Sequence, residues 1–303
     1  MRAEKKKKKR KWLRVTGIIF LLLFIGIGAY IFSIYNSLTN AVETMHKPID
    51  REKRDITFKK KEPFTVLMLG VDERAGDKGR SDTVIVMTVN PKQDSVKMLS
   101  IPRDTRTEIV GRGTEDKINH AYAFGGVEMS MDTVEKFLDI PIDYYVQMNM
   151  EGFQDIVDAV GGVKVNNQLA FTVGKFNFPQ GEIELDGREA LAYVRMRKND
   201  PQGDFGRQTR QRQIIQGIVN KGASVGSLTK FDNIFDALGK NVSTNMTFDE
   251  MKEIQSNYRS AAGNIEQMKI EGSGTKIGGI YYWIINPEDH QRIKSEFKNH
   301  LGI

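Results

Sequence analysis

The sequence predicts an α/β domain with a mixed central sheet sandwiched by helices, preceded by one transmembrane helix. Three observations predict it. FTVLMLG (64–70) is a continuous apolar run closed by glycine, the pattern of a strand buried on both faces. DTVIVMTVN and DSVKMLSI share the turn residues NPKQD, which gives a hairpin and at least one antiparallel pair. Helical patterns then alternate with further strands, which argues for a layered arrangement.

GGVEMSMDTVEKFLDI (125–140) places Val127, Met131, Val134, Phe137 and Leu138 on one side of a helix. IDYYVQMNM reads as a strand, MEGFQDIVDAVGG as a short helix stopped by two glycines, and VKV as the start of another strand. Thr247 and Glu250 form a capping-box pattern for a helix running to about Tyr258. IYYWII is a strand, and PEDHQRIKSEFKNHL a terminal helix with proline at its start.

The formal charge of +6 is unevenly placed. Residues 1–14, MRAEKKKKKRKWLR, hold nine of the 45 Lys and Arg and one of the 39 acidic residues. The other 289 residues therefore carry 36 basic and 38 acidic side chains, so the domain is not basic and no nucleic acid is expected as a partner. Residues 15–35 begin with VTGIIFLLLFIGIGAYIFSI, 20 residues without charge. At a rise of about 1.5 Å per residue that run spans the hydrocarbon of a bilayer. The lysine-rich flank sets residues 1–14 in the cytoplasm and the chain beyond residue 35 outside, as a single-pass type II signal-anchor. No short apolar core with an A-x-A-like site after it is present, which argues against a cleaved leader. Residues 36–62 read as an extracellular stalk, and 63–303 as the extracytoplasmic domain. The chain has no cysteine and only four histidines, none at HExxH-type spacing, so thiolate and histidine metal sites are not expected.

Chemistry concentrates in LAYVRMRKNDPQGDFGRQTRQRQ (191–213). On a helix starting after residue 205, Ile214, Ile215, Ile218 and Val219 form an apolar stripe. Arg207 and Gln211 fall on the same stripe, Arg210 flanks it, and Arg212 points away. An inward arginine at a helix start needs an anion. If 194–197 is extended, Arg195 and Arg197 share a face between Val194 and Met196. Guanidinium pairs with phosphate through two parallel hydrogen bonds, so a di- or triphosphate is one reading. An ion-pair network with Asp186, Asp200 and Asp204 is the other.

LGVDERAGDKGRSDT (69–83) succeeds a buried strand and offers Asp72, Asp77 and Asp82 with Arg74 and Arg80. Carboxylates beside a phosphate suit Mg²⁺. It is not a P-loop, because arginine stands where that motif needs Gly and Lys. A surface loop of balanced charge is the alternative. SIPRDTR (100–106) presents Arg103 at a strand tip. In KINHAYAFGG (117–126), Lys117 is a further candidate phosphate donor and His120 reads as a packed histidine.

Taken together, LGVDERAGDKGRSDT, LSIPRDT, KINHAYAFGG, DAVGGVKV, LDGREALAYVRMRK and DFGRQTRQRQ resemble, in order, the LytR–CpsA–Psr family. Within it the chain is most similar to enzymes that attach wall teichoic acid to peptidoglycan. The resemblance covers roughly residues 64–221. It implies a phosphotransferase that moves a polyprenyl-pyrophosphate-linked glycopolymer onto a muramic acid hydroxyl and releases polyprenyl monophosphate. It implies Asp72 and Asp82 as carboxylates for Mg²⁺, with Mn²⁺ the alternative. Arg80, Arg103, Lys117, Arg195, Arg197 and Arg207 would grip the pyrophosphate with Gln211 beside them, and Asp82, ahead of Asp72, would assist deprotonation of the acceptor. The catalytic set is then Asp72, Asp82, Arg103, Arg195, Arg197, Arg207 and Gln211. The prenyl chain is expected in an apolar pocket between sheet and helices. A pyrophosphatase using water, and a non-enzymatic lipid-phosphate binder acting on wall enzymes, are the rival functions.

Overall fold

The computed structural model describes residues 39, 42–51, 54–72, 79–197, 200–224 and 241–303. The expected membrane segment, 15–35, lies outside them, as do Arg74 and Asp77. Among the described residues no helix is long and apolar enough to cross a membrane.

Six strands form the central sheet. In chain order the strands are β1 (Phe64–Val71), β2 (Ser81–Asn90), β3 (Ser95–Ile101), β4 (Arg106–Ile109), β5 (Thr114–Lys117), β6 (Tyr144–Met148), β7 (Val163–Asn167), β8 (Phe171–Val173), β9 (Phe176–Phe178), β10 (Gly181–Leu185), β11 (Val242–Thr244), β12 (Ile265–Met268), β13 (Gly272–Ile277) and β14 (Ile280–Ile285). The helices are α1 (His120–Leu138), α2 (Met150–Ala159), α3 (Gly187–Arg195), α4 (Asp204–Ser224), α5 (Phe248–Asn257) and α6 (Pro287–Leu301). The sheet order is β11-β6-β1-β2-β3-β12. β1–β2, β2–β3 and β6–β11 are antiparallel, whereas β1–β6 and β3–β12 are parallel. The mixed sheet expected from the hairpin is therefore present. The remaining strands pair off as four two-stranded ribbons, β4–β5, β7–β10, β8–β9 and β13–β14.

The β1 run is apolar from Val66 to Val71 because both of its faces are covered. Leu67, Leu69 and Val71 pack with Val84, Val86 and Leu99 against Met131, Val134, Phe137 and Leu138 of α1 and Ile293, Phe297 and Leu301 of α6. On the other face Ile85 and Met98 meet Ile215 of α4, with Met68, Met87 and Val219 packed around them. α1 starts earlier than its stripe suggests, at His120, and kinks at Gly125 and Gly126, where the helical dihedrals are broken. α2 is capped by Asn149 and ends before Gly161 and Gly162, both at positive φ, as expected of its stop. Thr247 caps α5 with Glu250 reciprocating.

Residues 42–51 and 54–62, the stalk side of the expected boundary, pack onto the domain. Val42, Met45 and Phe58 are buried, and Lys47 N–H donates to the Thr244 carbonyl. Arg54 donates to both oxygens of Asp143, 2.8 and 2.7 Å, while Asp143 accepts from the Thr65 N–H at 2.8 Å. That bidentate pair fixes the entry of β1.

His300, on α6, gives a pH prediction. Its ring is buried between Thr88 Oγ1 at 2.7 Å and Ser95 Oγ at 2.9 Å. Burial, helped by Lys97, pulls its pKa down to about 4. An unfolded histidine titrates near ~6.5, so the neutral ring stabilises the fold fully above that pH. The contribution is lost as pH falls from ~6.5 through about 4. The urea midpoint of His300→Gln is expected to fall less steeply over this range than that of the parent. Identical slopes would show that His300 is not a source of the acid sensitivity.

Candidate active site

The site lies at one end of the sheet, where β1 and β3 finish and β2 begins. Antiparallel pairing puts Ile101 opposite Val84 and Gly70 opposite Thr83. The register then slips: Val71 pairs with Ser81, leaving Asp82 as the extra residue of a β-bulge. A bulge turns a side chain out of the ladder, and here it brings Asp82 to Arg103, just beyond β3. Arg103 Nη1 lies 2.9 Å from Asp82 Oδ1. Burial opposes the Arg103 charge, but Asp82, helped by Asp104 and Asp204, outweighs it and holds the guanidinium pKa above its ordinary value. Asp72, half-buried, comes directly after β1, so the two aspartates stand at neighbouring strand ends.

α4 delivers the second group. Its first turn carries Asp204, and Arg207 Nη2 lies 2.8 Å from Asp204 Oδ1 and 3.4 Å from the Asp82 carbonyl oxygen. Arg207 Nε is buried and makes no hydrogen bond. One turn on, Gln211 Nε2 donates to Thr83 Oγ1 at 2.9 Å. Of the inward stripe expected, Arg207, Gln211, Ile215, Ile218 and Val219 face the cavity, while Ile214 is buried in the neighbouring core with Val157, Val163 and Leu191.

α3 delivers the third group, with a correction. Residues 187–195 are helical, not extended: Asp186 and Glu189 form a capping box, and only at Met196 does the backbone become extended. Arg195 ends the helix and Arg197 lies beyond it, both exposed, with Met196 buried between them. Arg210 holds this turn. Its Nη1 lies 2.6 Å from Asp200 Oδ2, Nε donates to the Tyr193 carbonyl at 3.0 Å, and Nη2 donates to the Met196 carbonyl. A Cβ on Gly206 would fall 1.9 Å from Asp200 Oδ2, so only glycine lets the carboxylate reach Arg210 here. The ion-pair reading of the arginine segment is thus right for Arg210, which is structural, and partly for Arg207. Asp186 pairs with no arginine among the described residues and serves as a helix cap instead. Arg212 leaves the stripe as expected, but it is buried on an adjacent face of α4 rather than solvated.

These groups border one cavity of about 700 Å³. Asp82, Arg103, Arg195, Arg197, Arg207 and Gln211 supply its polar lining. The rest is largely apolar, with Met68, Ile85 and Val146 from the sheet, Phe153 and Ile156 from α2, and Leu191 and Val194 from α3 among its walls. This is the apolar pocket between sheet and helices whose lining the sequence could not name. Arg80 is exposed just before β2 and is not among the cavity residues. Lys117 also stands outside, its ammonium 2.7 Å from Asp104 Oδ1. It reaches the site only through Asp104, whose Oδ2 is 3.7 Å from Arg103 Nε. His120 pairs with Asp116 at 2.8 Å.

Among the described residues no cluster of three or more His, Asp or Glu could hold a metal by itself. Two carboxylates at adjacent strand ends do fit Mg²⁺ if phosphate oxygens and water complete its shell, since that ion is ordinarily held that way.

Gly70 yields a test of the geometry. A Cβ there would sit 2.9 Å from Thr83 Cβ, the residue that positions Gln211. Gly70→Ala should displace Thr83, costing about 1–3 kcal/mol in strain and fit, and lower turnover through Gln211. Unchanged turnover and unchanged urea stability would show that the contact is slack.

Known proteins share both the sequence and the fold. The model of the LytR_cpsA_psr family matches residues 32–299. The chain is 52% identical over 304 residues to a Bacillus subtilis protein named polyisoprenyl-teichoic acid–peptidoglycan teichoic acid transferase TagU, covering 99% of both chains. It is 54% identical to a protein of the same name from Halalkalibacterium halodurans, over 97% of this chain and 99% of that one. Among solved structures, B. subtilis TagU matches at 54% identity with a TM-score of 0.66, over 80% of this chain and 97% of the other. A structure described as TagT bound to LI-WTA matches at 33% identity with a TM-score of 0.72, over 85% and 100%.

Proposed function

The chain belongs to the LytR–CpsA–Psr family, and from that premise we propose that it transfers a polyprenyl-pyrophosphate-linked glycopolymer, wall teichoic acid, to a peptidoglycan muramic acid hydroxyl. The observation that carries this reading is the two-part cavity: a mouth with four arginines and an otherwise largely apolar interior. A ligand that satisfies both parts has a multiply charged phosphate joined to a hydrocarbon chain.

The proposed reaction is an in-line phosphoryl transfer at these groups. The acceptor oxygen attacks the phosphorus that bears the glycopolymer, the bridging P–O bond of the pyrophosphate breaks, and polyprenyl monophosphate leaves. The hydroxyl proton passes to Asp82, whose Oδ1 is held by Arg103, leaving Oδ2 to receive it. Arg103, Arg195, Arg197 and Arg207 stabilise charge on the phosphoryl oxygens, and Gln211 sets Thr83 and the α4 turn beneath them. The apolar interior holds the prenyl chain, which aligns phosphorus with the acceptor. Asp72 would be the principal carboxylate for Mg²⁺, or Mn²⁺, with Asp82 beside it, since Arg103 takes one Asp82 oxygen and the proton the other; the ion would neutralise pyrophosphate charge. Arg80 and Lys117 stand further out and would meet the glycopolymer side of the pyrophosphate.

We place residues 15–35 in the cell membrane, residues 1–14 in the cytoplasm and the domain outside. The uncharged run and its lysine flank support this. The anchor then keeps the cavity beside the membrane that carries its lipid substrate. The near-neutral domain gives no support to nucleic acid as a partner.

The test is reconstitution. Full-length protein in detergent receives lipid-linked teichoic precursor, Mg²⁺ and a peptidoglycan oligomer, and mass spectrometry looks for the polymer–glycan adduct. The adduct is expected only with all components present. Monophosphate released equally fast without the glycan would make the protein a pyrophosphatase. Lipid binding without release would make it a binder.

A further inference from the structure

A second cavity, of about 520 Å³, opens beside α4 roughly a quarter turn round the helix from the Arg207–Gln211 stripe. Its walls come from α4, the end of β3, the link from β12 to β13, and Trp283 of β14. It holds more hydrogen-bond donors than the protein uses. Ser100 is 5% exposed and its Oγ has no partner. Trp283 Nε1 is buried and also has none. Arg212, likewise 5% exposed, reaches only the neutral oxygens of Gln267 at 3.1 Å and Thr209 at 3.0 Å, with no carboxylate partner among the described residues. Burial pulls its pKa below the ordinary arginine value, as expected for a guanidinium lacking a counter-charge. Leaving two polar atoms unpaired beside a guanidinium without a counter-charge is costly, and the three together in one concavity point to a ligand that supplies oxygens.

The cavity also carries an aromatic platform of the kind that suits a sugar. The exposed Phe205 ring sits 4.9 Å from the Trp283 ring at 62°. A Cβ on Gly272 would come 2.7 Å from Trp283 Nε1, so only glycine leaves room beside that donor. The place is tied to the first cavity from both sides. Trp283 N–H donates to the Asp104 carbonyl at 2.8 Å, one residue past Arg103. Phe205 lies two residues before Arg207, and Gln208 donates to Asp204 at 3.2 Å.

We infer that this cavity is the subsite for the acceptor glycan: an N-acylated, carboxylate-bearing sugar lies against Phe205 and Trp283 and directs its carbonyl and carboxyl oxygens to Arg212, Trp283 Nε1 and Ser100 Oγ. The inference rests on the transferase reading for the identity of the acceptor. Any N-acetylated sugar of the donor polymer would share the acyl carbonyl but not the carboxylate. The acceptor is preferred because the donor's phosphate and lipid are already accommodated in the first cavity, and this one approaches Arg103 and Asp204 from outside it.

Ser100→Ala and Trp283→Phe test it. Each removes a donor that no protein atom uses, so both variants should unfold at or near the parent's urea midpoint. With full-length protein, calorimetry using a tetrasaccharide of alternating N-acetylglucosamine and N-acetylmuramic acid should show affinity lowered about tenfold in each variant, equivalent to about 1.4 kcal/mol. In the transfer assay the acceptor KM should rise by a similar factor while the lipid KM stays put. Parent-like tetrasaccharide affinity in both folded variants overturns the subsite, as does a rise in lipid KM alone, which would assign the cavity to the donor sugar. Variant-sensitive tetrasaccharide binding by a protein that transfers nothing keeps the subsite and removes the transferase reading.

Discussion

Arg207→Met is expected to lower the transfer rate at least 100-fold while leaving the protein folded. Arg207 is only 13% exposed, its Nε has no partner, and its one carboxylate neighbour is Asp204. A guanidinium so placed at a helix N-terminus, beside the Asp82 bulge and with Nε unpartnered, has capacity for an anion beyond Asp204. Losing one preorganised donor to a transition-state oxyanion costs about 3 kcal/mol, or ~100-fold in rate. The methionine keeps the aliphatic stem, and Asp204 retains its contact with Gln208 at 3.2 Å, so the helix start survives. Single-turnover kinetics with saturating lipid precursor would measure it. A loss below about fivefold would mean that the remaining arginines carry the phosphoryl charge without Arg207.

Much of this placement is legible in the sequence, for a physical reason. The stripe through Arg207, Gln211, Ile215 and Val219 has helical period, and a helix that buries its apolar side carries the polar residues of that side inward too. The β1 run and the β2–β3 hairpin are equally plain, since strands covered on both faces are mostly apolar and their few polar side chains, such as Thr65 and Thr88, are hydrogen-bonded. Features of another kind escape such a reading. β11 and β12 have three and four residues, and they join the sheet through tertiary packing rather than pattern. The Asp82 bulge is a property of two strands in register, which no single stretch can show. α3 has a readable start, Asp186 with Glu189 three residues on, but the alternation of Arg195, Met196 and Arg197 at its end mimics a strand and hides it. The donor cluster of Ser100, Arg212 and Trp283 assembles from three distant segments and has no local signature.

The largest effect on stability belongs to a different arginine. Arg210→Met should destabilise the protein by about 3–5 kcal/mol, because the Arg210 and Asp200 side chains are 7% and 5% exposed and removing one leaves the other charge buried alone. Urea denaturation measures the loss. The double variant Arg210→Met, Asp200→Leu should recover part of it, since apolar replacement of a buried pair removes the stranded charge. Recovery stays incomplete, because Asp200 Oδ1 also accepts from the Gln202 N–H at 2.7 Å and Arg210 also serves the Tyr193 and Met196 carbonyls. Those two carbonyls belong to the turn that presents Arg195 and Arg197 to the cavity. Restoring stability therefore should not restore rate: the double variant is expected to fold well and transfer slowly. If it transfers like the parent, the turn holds its arginines without Arg210, and the separation drawn between a structural arginine and the phosphate-gripping ones fails at that point.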